Sequence, residues 1–205
     1  MLCPCYQPMT NATVPLPILD PRLSPRKGVA GAFVFILSET MFFIGLFFMW
    51  NYYAVVQGAW PPTNIPRPII TLPVINSFVM ALSVIAISTA SWSIARDKRH
   101  WFVPALVASC VLGLLFTAIQ IVEFGRLSFG PGSNNFGSAF YCLLFFHVAR
   151  VLAGVVFMMI VLVRALIGQF SSQHRTAVIA CAMYWYFIAA VWYLVFYVLY
   201  LTWPA

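Results

Sequence analysis

Three ionisable side chains stand inside apolar stretches of this sequence: Glu39, His147 and Arg150. A carboxylate, an imidazole and a guanidinium can form an ion pair, carry a proton or hold a ligand by charge. Left unpartnered in hydrocarbon, an ionised group is costly, so each is a candidate for function by default. Two further charges, Glu123 and Arg126, lie three residues apart at the end of an apolar run and read as a surface pair at helical spacing. Other chemistry finds no residues. There is no Ser/His/Asp set, no phosphate loop and no zinc-hydrolase helix. His100 and His174 fall between apolar runs, which leaves His147 without the clustered His or Cys that haem or copper centres need. The cysteines are scattered at 3, 5, 110, 142 and 181; three sit in apolar runs, and Cys3 with Cys5 cannot complete a zinc site. No metal or cofactor of its own is expected.

The elements that must position these groups follow from composition. The 205 residues are 63% hydrophobic and 7% charged, where a soluble domain carries about 25% charged residues. Mean hydropathy is +0.94. Such a chain is solvated by lipid or by other membrane subunits. Its net charge of +7 comes from basic residues in short gaps between apolar runs, the pattern of loops that orient a membrane protein rather than of a nucleic-acid surface.

Five stretches are long enough to cross a bilayer, near 28–57, 71–95, 101–124, 137–163 and 176–203. They predict an all-α integral membrane bundle of five transmembrane helices, since open strands are not tolerated in lipid. A Pro-rich N-terminal segment, 1–27, lacks the apolar core of a signal peptide, and 28–205 form the membrane domain. Arg22, Arg26, Lys27, Arg96, Lys98, Arg99, Arg164 and Arg175 fall on one side and Arg67 and Arg126 on the other. The positive-inside rule then sets the N-terminus inside and the C-terminus outside.

Depth follows from the helical rise. Glu39 lies about 18 Å above Lys27, Arg150 about 21 Å above Arg164, and His147 about 25 Å up. Glu39 and Arg150 are thus at nearly one depth near mid-bilayer, where a mutual pair would satisfy both. Glu39 is expected to face Arg150, with His147 one turn further out on the same face, so that Glu39, His147 and Arg150 form an intramembrane polar network. The alternative is a protonated Glu39, hydrogen-bonded to Ser38 or to a backbone carbonyl. Small residues Gly45, Ala81, Ser83, Gly113 and Gly154 are expected at close helix contacts. Trp185 and Trp192 on the last span could face lipid or a neighbouring subunit. No internal repeat or central Gly/Pro break is visible, which weakens a transporter reading.

An ordered set of motifs spans nearly the whole chain: Leu37-Ser38-Glu39-Thr40-Met41-Phe42-Phe43, Trp60-Pro61-Pro62-Thr63, Asn76-Ser77, Gln120 with Glu123-Phe124, Phe136-Gly137-Ser138, Phe146-His147, and Tyr184-Trp185-Tyr186-Phe187. Together they resemble subunit III of haem–copper oxidases. The resemblance implies a five-helix short form of a seven-helix subunit, without an active site of its own. Haem and copper would reside only in its partner, the catalytic subunit I, on which it would pack. It also implies structural phospholipid in a cleft and support of stability and proton uptake during oxygen reduction, in a bacterial inner membrane. Arg164 and His174 match inner-side basic positions that meet lipid headgroups in the family, and Arg175 beside them is a further candidate; loop solvation is the alternative for these residues.

The chain also departs from the family pattern. Arg150 stands where the family has a second histidine, and Tyr186 and Ala189 replace a His and an Asp of the last span. These changes suggest a divergent branch, with a nitric oxide reductase accessory subunit as the second reading.

Overall fold

A computed structural model describes residues 25–58, 60–62, 68–168, 170 and 175–202. Cys3, Cys5, Arg22, Arg67 and His174 lie outside the described residues. The chain forms five long helices: α1 (Pro25–Gln57), α2 (Thr71–Ala95), α3 (Arg99–Phe124), α4 (Asn135–Leu166) and α5 (Thr176–Phe196). All five are long and apolar enough to cross a membrane, and no strand occurs among the described residues. The protein is a multi-pass membrane helix bundle.

Local sequence explains the helix ends. Asn134 starts α4 by accepting from the Gly137 backbone N–H at 2.7 Å, satisfying one of the donors orphaned at a helix N-terminus. The other end of α4 is closed from a distance: Arg99, the first residue of α3, donates to the Ala165 carbonyl at 2.9 Å. Gly168 follows with φ of +86°, a left-handed turn in which glycine pays no steric penalty. Between α2 and α3 the chain reverses through Asp97 at φ of 54°, with the Lys98 amide bonded to the Ser93 carbonyl at 2.9 Å. Beyond Phe196 the last helix widens into a π-helical turn, Tyr197–Leu201, which buries Leu199 and Tyr200.

Helices alternate in direction, so Lys27, Arg96, Lys98, Arg99, Arg164 and Arg175 gather at one end of the bundle, here the basic end. Arg126 lies at the far end. α5 is the centre: 56% of its most apolar stretch is buried, against 11% for α1. The centre is organised around Trp185, fully buried on α5. A Cβ on Gly113 would lie 2.8 Å from its ring, and one on Gly154 2.9 Å, so glycines of α3 and α4 admit the indole. The indole N–H then donates to Ser83 of α2 at 3.0 Å. One side chain therefore ties four helices together. Trp192, also fully buried, donates to Ser77 at 3.0 Å. Both tryptophans point into the bundle, not to lipid or a neighbour, because their N–H groups find serines on α2. Gly113, Gly154 and Ser83 lie at helix contacts as expected. Gly45 does not: a Cβ there meets nothing within 4 Å, because it sits on the open side of α1.

Candidate functional site

Arg150 donates through Nε to Glu39 Oε2 and forms the described ion pair of the bundle. Glu39 lies close to the middle of α1 and Arg150 at the middle of α4, so the pair is far from either surface. The side chains are 26% (Arg150) and 12% (Glu39) exposed, and in a bilayer that exposed part meets lipid rather than water. Phe42 covers the guanidinium, with its centroid 5.0 Å from the Arg150 Cζ, and packs edge-on against Phe146 at 4.9 Å. The Ser38 hydroxyl is engaged elsewhere, donating to the Phe35 carbonyl at 2.7 Å.

The expected polar network of three is corrected at His147, which takes no part in that pair. It is fully buried, its ring 5.4 Å from Trp192, 5.8 Å from Phe116 and 6.4 Å from Phe43. Neither ring nitrogen has a hydrogen-bond partner among the described residues. Three residues of helix leave a net turn of about 60°, which carries the ring towards α3 and α5 while its edge still meets Phe43 of α1.

Below the pair, towards the basic end, an apolar cleft of about 390 Å³ opens between three helices. Gly28, Ala32 and Phe35 of α1, Ala153 and Phe157 of α4, and Ala180 and Tyr184 of α5 line it. Phe35 is one turn from Glu39 and Ala153 one turn from Arg150, so the ion pair lies about one turn beyond the deep end of the cleft, where Phe35 meets Tyr184 at 5.6 Å between ring centroids. Tyr184 donates its hydroxyl to the Arg150 carbonyl at 3.4 Å. At the other end, Lys27 adjoins Gly28 and Arg175 precedes the first turn of α5. Arg164 stacks over Phe170, with 5.3 Å from Cζ to the ring centroid.

Glu123 corrects the sequence reading. It is buried, 3% exposed, and is not in an exposed pair with Arg126, whose side chain is exposed. Glu123 instead accepts from Gln120 Nε2 at 2.7 Å and from the Tyr200 hydroxyl. Gln120 in turn accepts from Asn76 Nδ2 at 3.1 Å. The cause is helical phase. Gly113, Phe116, Gln120 and Glu123 fall on one stripe of α3, which faces the core to its last turn. Asn76, Gln120 and Tyr200 were missed as site residues. The signal available was this register, together with three polar residues otherwise unexplained in apolar spans.

Comparison with known proteins is decisive on family. The profile for cytochrome c oxidase subunit III matches residues 23–205. The chain belongs to the cytochrome c oxidase subunit III family. Cytochrome c oxidase subunit 3 of the platypus Ornithorhynchus anatinus is 34% identical over 176 residues, 82% of this chain and 67% of that protein. The mouse protein of the same name is 34% identical over 174 residues, and the human one 34% over 176, each with the same coverage. The chain thus spans about two thirds of the length of these relatives. Membership makes it an accessory membrane subunit of a haem–copper oxidase, associated with other subunits of the complex. The redox metals belong to the complex rather than to this family, and no group of three or more His, Cys, Asp or Glu that could hold a metal occurs among the described residues.

Proposed function

We propose that this subunit packs on the catalytic subunit I and holds a phospholipid in the cleft between α1, α4 and α5, with the Glu39–Arg150 pair just beyond its deep end. The single observation that carries the reading is the gradient along the cleft. Its walls are almost entirely apolar; Lys27, Arg164 and Arg175 stand at the ends of α1, α4 and α5 on its basic side, and the paired Glu39 and Arg150 lie about one turn beyond its deep end. An acyl chain suits the walls, and a phosphate suits the cations at the mouth. His174 joins this headgroup set as an expectation. The basic end then faces the inside, which puts the N-terminus inside and the C-terminus outside.

By holding lipid and a fixed ion pair beside the catalytic subunit, the chain would keep the complex intact and sustain proton uptake during oxygen reduction. Glu39 is here a structural carboxylate rather than a proton carrier, because its partner is an arginine and Ser38 and Thr40 both donate to backbone carbonyls. The replacement of family His and Asp positions by Arg150 and Ala189 supports a divergent branch, which we place in a bacterial inner membrane. Native mass spectrometry of the intact complex tests the lipid claim. The complex should retain fewer phospholipids in an Arg164→Glu/Arg175→Glu variant than in wild type. Equal lipid retention in the two would end the cleft reading.

A further inference from the structure

We infer that the Glu39–Arg150 pair is also the polar docking point for a transmembrane helix of a neighbouring subunit, and that this helix brings a neutral hydrogen-bonding side chain, an amide or a hydroxyl. The pair meets only part of its own demand. A guanidinium carries five N–H donors. Arg150 engages the one on Nε, which donates to Glu39 Oε2. The two Nη nitrogens of Arg150 have no hydrogen-bond partner among the described residues, and neither has Glu39 Oε1. Unlike the ring nitrogens of His147, these atoms are not sealed inside the bundle. The two side chains keep 26% (Arg150) and 12% (Glu39) of their surface open. Phe42 lies over the face of the guanidinium, 5.0 Å from ring centroid to Cζ, whereas the N–H groups lie in its plane, so the ring accepts no hydrogen bond from them.

Nothing in a bilayer answers these groups at that depth. Arg150 stands about 23 Å from either end of α4, and Glu39 about 21 Å from the nearer end of α1. The hydrocarbon core is about 30 Å thick, so phosphates and water lie roughly 15 Å from its midplane and acyl chains offer no acceptor. Arginine often escapes by bending to the interface, but here Nε is fixed on Glu39. A polar side chain on another membrane helix is the remaining source, and the chain belongs to a family that works within a complex. Charge then selects the chemistry. Carboxylate and guanidinium already balance, and a third charge would leave a net charge at mid-bilayer. A neutral amide or hydroxyl can accept from an Nη and donate to Glu39 Oε1. The apolar cleft lies towards the basic end of the pair. A helix arriving on the far-end side, where Phe42 and Phe146 are half-buried, leaves that cleft open. The inference therefore stands apart from the lipid reading.

Cryo-electron microscopy of the intact oxidase at side-chain resolution tests the docking point. The expected map places an oxygen or nitrogen of a neutral side chain from a neighbouring subunit within about 3.5 Å of an Arg150 Nη or of Glu39 Oε1. A charged side chain in that place overturns the proposal, as does a map in which only lipid, water, backbone or this chain's own side chains surround the pair. A double variant, Glu39→Leu with Arg150→Leu, separates docking from folding, because it keeps the two positions matched within the bundle and removes the polar edge. In detergent this variant should leave the complex several-fold faster than wild type, and release at the wild-type rate would overturn the inference. Phospholipid retained by the intact complex is counted separately by native mass spectrometry, so the docking and cleft readings can fail independently. Should the double variant fail to assemble, the wild-type map decides.

Discussion

The two carboxylates of this bundle occupy opposite kinds of surroundings. Glu39 sits on α1, the helix with the least buried surface, and is held by one cation from α4. Glu123 sits in the last turn of α3, buried, and is held by two neutral donors from Gln120 and Tyr200. The first is a point contact between helices that otherwise leave a gap. The second is one link in a string that packs α2, α3 and the C-terminal turn together. The pairing that holds a carboxylate is therefore set by what faces it. Where side chains interdigitate, amides and a phenol suffice; where a gap must be bridged, the long, fully charged arginine reaches across.

That contrast is broken or sharpened most strongly at Arg150. Arg150→Leu strands Glu39 in apolar surroundings and should destabilise the subunit by about 3–5 kcal/mol, read as loss of the chain from the complex on thermal challenge. Glu39→Leu combined with Arg150→Leu should recover most of that loss, since a matched apolar pair replaces a matched charged one. Additive single-variant losses would mean that the two side chains do not depend on each other. Next in size is Glu123→Leu, which leaves the Tyr200 hydroxyl and a Gln120 N–H without acceptors and should cost about 1–3 kcal/mol for each group. Glu123→Gln should cost clearly less, because one acceptor remains; thermal stability of the purified complex separates the two. The smallest effect belongs to Arg126→Ala. Its side chain is exposed and unpaired with Glu123, so stability should change by less than about 0.5 kcal/mol. A loss comparable to that of Glu123→Leu would restore the surface pair expected from spacing.

The fold was legible because the signal was coarse. Five apolar runs at bilayer length give five helices, and with the π-helical turn counted as part of the last one, the observed bounds differ from the expected spans by a few residues at most. At α4 a side chain is the reason: Asn134 caps the helix, which begins two residues before the expected start. The depth arithmetic set Glu39 and Arg150 at one level, and the structure brings them into contact, because rise per residue is nearly constant in straight helices.

Rotation about the helix axis was harder to read than depth. His147 lies near the depth of Arg150 but points into an aromatic box, and Glu123 lies near a helix end but faces the core. In spans that are apolar on nearly every side, hydrophobic periodicity carries little rotational information. Small residues gave part of it: Gly113 and Gly154 mark the seat of Trp185, whereas Gly45 marks nothing. The cleft was not visible in the residues themselves, since it arises where Gly28, Ala32, Ala153 and Ala180 from three helices coincide.

The most direct test is a cryo-electron microscopy map of the oxidase purified with its native lipids. The account predicts an acyl chain between α1, α4 and α5, its headgroup phosphate near Lys27, Arg164 and Arg175, and its tail ending short of the Glu39–Arg150 pair. A cleft filled by a helix of a neighbouring subunit, or a headgroup at the opposite end, would contradict it.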